Sequence, residues 1–78
     1  MSTSVDDAVA IGVVIDDQEL HVRMKDGRTI SAPLDWFPRL AGATPAERLD
    51  WRLIGGGEGI HWRQLDEDIS IPALLRGR

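Results

Sequence analysis

Cysteine is absent from the 78 residues, and so is tyrosine. The first absence excludes a disulfide scaffold, a thiolate metal site and a cysteine nucleophile together, and it suits a reducing cytoplasm. Lysine is nearly absent as well: of nine basic residues eight are arginines, scattered from Arg23 to Arg78 without a block. Any basic face would therefore have to be assembled by folding. No apolar run approaches the ~20 residues that a membrane span needs, and the start, Met1 to Asp7, lacks the basic residues and apolar core of a signal peptide. A cytoplasmic protein with no membrane contact is expected. Its formal charge of -4 repels nucleic acid and anionic lipid at long range.

What is present suits one small domain over residues 8 to 78, behind a disordered lead-in over residues 1 to 7. Apolar residues are 42% of the chain and charged residues 28%, too apolar for disorder and just large enough for a single core. From Ala8, bulky Val9, Ile11, Val13 and Ile15 alternate with smaller residues. This predicts a strand over 8 to 15 with one bulky and one small face, both largely dry. Leu20, Val22 and Met24 alternate with Glu19, His21, Arg23 and Lys25, which predicts a second strand over 19 to 25 with one solvent face. Asp26-Gly27 accepts the positive φ of a tight hairpin turn, and Ile30, Ala32 and Leu34 then point inward from a third strand over 28 to 34. Pro33, lacking a donor, belongs at that strand's end or on an edge.

Beyond the meander the signals become helical. Asp35 is placed to cap a turn over 35 to 41 that carries Trp36 and Phe37. Thr44-Pro45-Ala46-Glu47 has the threonine, first-turn proline and returning glutamate of a capping box, so a helix over 45 to 50 is expected. Residues 51 to 54 and about 59 to 62 read as a second hairpin joined flexibly by Gly55-Gly56-Gly57, with Ile60 and Trp62 on one side and His61 on the other. No lysine follows the glycines and Glu58 is acidic, which argues against a phosphate loop. Ser70 caps a final turn that Gly77 stops. The fold class is α+β: a single small domain with an antiparallel meander, a second hairpin and short helices.

The most particular stretch is Ile60 to Ile71, which holds His61, Trp62 and the consecutive acids Asp66-Glu67-Asp68. Imidazole and carboxylates are metal ligands, yet no second histidine stands at a ligating spacing, so a solvated acidic turn is expected and no metal or cofactor. In that turn Asp68, or else Asp66, should accept from backbone N–H groups or from Arg39, Arg48, Arg52 or Arg63, while Glu67 points outward. Three adjacent acids do not divide into a protonated and an ionised partner, and no nucleophile stands beside them, so an enzyme is not expected. Trp36, Trp51 and Trp62 are expected inside the core, their indole N–H groups bonded.

Several blocks in order resemble one known family: Asp26-Gly27-Arg28; Trp36-Phe37-Pro38-Arg39-Leu40; Ala43-Thr44 with Glu47-Arg48 and Trp51; Gly57-Glu58-Gly59-Ile60-His61-Trp62; and Leu65-Asp66-Glu67-Asp68-Ile69-Ser70. They are similar to the domain of unknown function 2442 (DUF2442) family over about residues 9 to 77. That resemblance implies a small bacterial α+β domain. It also implies a regulatory or protein-binding module, since members are fused to helix-turn-helix domains or look like toxin–antitoxin partners. No helix-turn-helix segment is read here, so DNA-directed activity would come from a partner.

The expectation is thus a non-catalytic interaction or regulatory module, antitoxin-like or an accessory subunit, with Trp36, Phe37, Arg39, His61 and Glu67 as candidate partner-binding residues. The expected partner is another protein, a second copy of the chain included. A nucleic-acid-associated regulator using folded arginines is the alternative, and a small enzyme or metal-binding protein the third reading.

Overall fold

The computed structural model describes residues 9–77; the lead-in, residues 1 to 7, lies outside them. Strands β1 (Ala10–Ile15), β2 (Glu19–Met24) and β3 (Thr29–Pro33) form an antiparallel meander in the order β1-β2-β3. The alternation of β2 is reproduced inside it: Leu20, Val22 and Met24 are buried, and Glu19 and Arg23 are exposed. Pro33 ends β3 on the outer edge of the sheet, where its missing donor leaves no ladder bond unmade.

Strand β1 departs from its expected phase. Ala10 stands opposite Met24 but Gly12 stands opposite Arg23, so Ile11 is an extra residue, a β-bulge. A bulge shifts the alternation by one position. Ala10 therefore turns inward, and Ile11 stands 55% exposed. Past the bulge Val13 and Ile15 pack against the core while Val14 lies on the open face at 56% exposure. The expected pair of dry faces is overturned: one face of β1 is wet.

The expected single helix over 35 to 41 is two turns, a 3-10 turn over Leu34–Trp36 and α1 (Pro38–Ala41). Phe37 stands between them at φ -128 and ψ 79 because the Pro38 ring disfavours a helical residue before it. Asp35 makes no capping bond to either turn. Helix α2 (Pro45–Leu49) has both halves of its capping box: Glu47 N–H donates to Thr44 Oγ1 at 3.2 Å, and Thr44 N–H donates to Glu47 Oε1 at 2.8 Å.

Strands β4 (Trp51–Ile54) and β5 (Gly59–Trp62) pair as expected, Trp51 opposite Trp62. A further strand, β6 (Glu67–Ser70), pairs antiparallel with β5 and completes a second three-stranded sheet in the order β4-β5-β6. Two of the three acids expected in a turn are thus in a strand. Helix α3 (Ile71–Arg76) follows directly, with Ser70 Oγ accepting from Ala73 N–H at 3.4 Å and Gly77 ending it at φ 83. Residues of both sheets enter one core, where Leu20, Val22 and Met24 join Ile60, Trp62 and Ile69, together with Leu34, Leu40, Ile71 and Leu74.

The glycine triplet is a packed joint rather than a slack link. All three glycines have positive φ, and Gly57 is buried against Val9 and the backbone of Ala10 at the start of β1. The neighbouring Glu58 carbonyl accepts from Ile71 N–H at 2.9 Å, which fastens the same loop to α3.

Candidate functional site

Residues directly opposite in an antiparallel pair share a face, and this rule decides the roles of the acids. Glu67 stands opposite buried Trp62, and Ile69, two positions on, is buried too. Glu67 is therefore half-buried on the inward side of β6. Asp68 stands opposite His61 on the other face, where His61 Nδ1 and Asp68 Oδ1 are 2.5 Å apart. An ionised carboxylate only accepts, so the proton of that bond belongs to His61.

The expected roles are thus exchanged. Glu67 faces inward, and Asp68 faces out and bonds a histidine instead of a backbone N–H or an arginine. Asp66, with φ 50, makes the turn between β5 and β6, a conformation that its short polar side chain tolerates better than most. Arg39 Nη1 donates to the Asp66 carbonyl at 2.5 Å and straps the turn to α1.

The other arginines also miss the acids assigned to them. Arg48 donates to the carbonyls of Leu40 and Ala41, and Arg63 reaches Asp50. Arg52 bonds none of the acids at 66 to 68 among the described residues. Of the three indoles only Trp62 is fully buried with its N–H bonded, donating to the Arg48 carbonyl at 3.0 Å. Trp36 and Trp51 are half-buried at the margin of the core.

With Glu67 inward, a groove of about 240 Å³ opens between the Leu34–Trp36 turn and the β6–α3 corner. Trp36 and Phe37 line it, with Ile69, Ala73 and Leu74, and Glu67 is set among them. Three of the five candidate residues meet there. Arg39 lies nearby on its strap, whereas His61 is on the opposite face of the second sheet and takes no part. Nothing in the sequence marks Ala73 and Leu74 as candidates, because their wall exists only once α3 folds back beside β6.

Two other places hold chemistry-bearing or apolar side chains. Asp16, Glu19 and His21 bring ligand-type atoms within 4.8 Å of one another. Asp16 Oδ1 accepts from the N–H groups of Gln18 and Glu19 at 2.8 and 2.6 Å, its Oδ2 lies 2.9 Å from His21 Nε2, and His21 Nδ1 lies 2.6 Å from Ser31 Oγ. Asp16 and His21 are thus already engaged and the Glu19 carboxylate is left to water, so the cluster is a clasp on the β1–β2 turn. The second place is an apolar groove of about 370 Å³ between β1 and α2. It contains Val14, Trp51 and Leu49, the last 77% exposed. Though larger, it has its one acid, Asp17, exposed to water rather than half-buried among apolar walls, and its cation Arg48 is bonded to carbonyls.

The Asp16 clasp predicts a pH dependence. Its hydrogen bond to His21, followed by those from Gln18 and Glu19, lowers its pKa from the ordinary 3.8 to about 2. A carboxyl whose folded pKa lies below its unfolded one stabilises the fold above the unfolded value, and the contribution disappears as pH falls through the folded one. Asp16→Asn is therefore expected to melt below the parent at pH 7. The difference should shrink between about pH 4 and pH 2. A gap that persists unchanged at pH 2, measured by calorimetry, would contradict the clasp.

Two small antiparallel three-stranded sheets with short helices define an α+β domain. The family model described as protein of unknown function, DUF2442, matches residues 10–78, and the chain belongs to that family. It is similar to a crystal structure of a protein of unknown function from Rhodospirillum rubrum, with 30% identity, coverage of 88% of this chain and 86% of that one, and a TM-score of 0.75. It shares its fold with an uncharacterised protein of Chromobacterium violaceum solved by NMR in solution. There the identity is 24%, the coverage 90% of this chain and 66% of that one, and the TM-score 0.75. No curated protein matches the chain. Among the described residues no helix is long and apolar enough to cross a membrane.

Proposed function

We propose that the domain is a small interaction module that binds a protein partner through the Trp36–Phe37–Leu74 groove and carries no chemistry of its own. The observation behind this reading is the groove itself, which leaves two aromatic rings half-buried beside apolar side chains from a different element. Recognition sites are commonly apolar concavities of this sort with a few polar groups that set orientation. The one hydroxyl at its wall, Ser70, is engaged as the cap of α3.

A protein partner is favoured over nucleic acid because Arg39 and Arg48 are bound to backbone carbonyls and Arg28 and Arg63 to acids. The net charge of -4 acts in the same direction. A regulatory role, antitoxin-like or as an accessory subunit, is the form of the proposal that the family resemblance suggests.

A photo-crosslinking residue at Ala73, in cells that carry the gene, should yield a discrete protein adduct that the same residue at exposed Thr29 does not. The partner so identified, once purified, should bind the parent domain and lose binding to Ala73→Trp, which fills the groove. Full binding by a folded Ala73→Trp would overturn the reading. A shift of labelled DNA or RNA at low salt would favour the nucleic-acid alternative instead.

A further inference from the structure

Most acids of this domain are either paired or in water. Asp16 has His21, Asp26 has Arg28, Glu47 has the Thr44 N–H, Asp50 has Gln64 and Arg63, and Asp68 has His61. Asp17, Glu19, Asp35, Glu58 and Asp66 have no side-chain partner but belong to exposed residues, where water solvates them. Among the described residues, Glu67 alone is both half-buried and without a hydrogen bond or ion pair to its carboxylate. Arg39, close by, places its guanidinium on the Asp66 carbonyl and makes no ion pair with Glu67.

The β5–β6 register aims Glu67 to the same side as Trp62, so its carboxylate, still reached by water, stands beside apolar walls. The groove around it supplies what a cation would need. Ring faces attract cations, tryptophan most strongly, and apolar walls reduce the screening of an ion pair. Flat walls beside a carboxylate favour the planar guanidinium, which stacks and bonds in two-pronged fashion, over the compact ammonium of lysine. The net charge of -4 draws basic segments toward the domain.

We propose that the groove holds an arginine side chain of the protein partner, its guanidinium on Glu67 and against Trp36 and Phe37. This rests on the protein-binding reading above and adds the chemistry of the contact.

The test uses ¹⁵N-labelled domain titrated with N-acetyl-arginine amide, its uncharged analogue N-acetyl-citrulline amide, and N-acetyl-lysine amide. The arginine compound should shift the Trp36 indole N–H and the amides of Glu67 and Leu74, and added salt should reduce the effect. Citrulline, or arginine with Glu67→Gln, should bind about tenfold more weakly, as the loss of a charged hydrogen bond implies. Asp26→Asn, in the β2–β3 turn away from the groove, should leave the titration unchanged.

Absence of groove shifts with arginine, equal shifts with citrulline, or an unaffected Glu67→Gln whose spectrum stays folded would overturn the proposal. Equal response to lysine would overturn the guanidinium assignment. Groove shifts that appear as the protein alone is concentrated would place a second copy there and overturn a separate partner. If arginine fails while the Ala73 adduct forms and Ala73→Trp abolishes it, only the arginine contact falls. If arginine binds but no Ala73 adduct forms, the protein-binding reading falls and the cation site stands.

Discussion

Trp62→Ala is expected to cost roughly 3 to 5 kcal/mol and to leave most of the domain unfolded at physiological temperature. Trp62 is wholly inaccessible, and its indole N–H satisfies the Arg48 carbonyl beneath α2. Removing the ring leaves a cavity at the meeting point of β4, β5 and β6 and strips that carbonyl of its donor. A domain of this size has only about 3 to 5 kcal/mol from a single core, so the loss is comparable to the whole. Trp62→Phe separates the two contributions by keeping much of the packing while losing the donor, and it should fall between parent and alanine variant. The check is denaturation followed by circular dichroism; a melting temperature of Trp62→Ala equal to that of the parent would contradict the burial.

The second large effect is expected at Gly57. Its φ of +99 belongs to the region that side chains rarely adopt, and a Cβ there would stand 2.6 Å from Val9 Cγ1 and 2.8 Å from the Ala10 carbonyl oxygen. Backbone strain and overpacking therefore add, and Gly57→Ala should cost about 2 to 4 kcal/mol. Gly56 is the internal control, having φ +68 but nothing within 4 Å of the place a Cβ would occupy. Gly56→Ala should cost only the conformational part, about 1 to 2 kcal/mol. Equal midpoints in urea for the two variants would mean that the start of β1 moves aside at little cost, and that the joint between loop and strand is not tight.

Elements that depend only on their own residues are legible in the sequence. Leu20, Val22 and Met24 alternate with polar residues and are buried as the period of two requires. Thr44 and Glu47 are three residues apart and close a capping box without help from elsewhere. Pro33, Ser70 and Gly77 likewise act at the element ends where their backbone chemistry places them.

Where sequence and fold disagree there is one physical reason, namely that the deciding contact is distant in the chain. The bulge at Ile11 is a property of the β1–β2 pairing and leaves no mark on the run of valines and isoleucines. Glu67 and Asp68 have little intrinsic strand preference, yet pairing with Trp62 and His61 draws them into β6. That pairing then fixes which acid looks inward. The five candidate residues follow the same division: aromatic rings and acids are visible as chemistry in the sequence. Only the β5 register and the return of α3 bring Trp36, Phe37 and Glu67 around one groove and leave His61 on the opposite face. Local propensities and caps, which act over a few residues, were therefore determined by the sequence alone. The face, the partner and the surroundings of each side chain, which depend on strands meeting across the fold, were decided by tertiary structure.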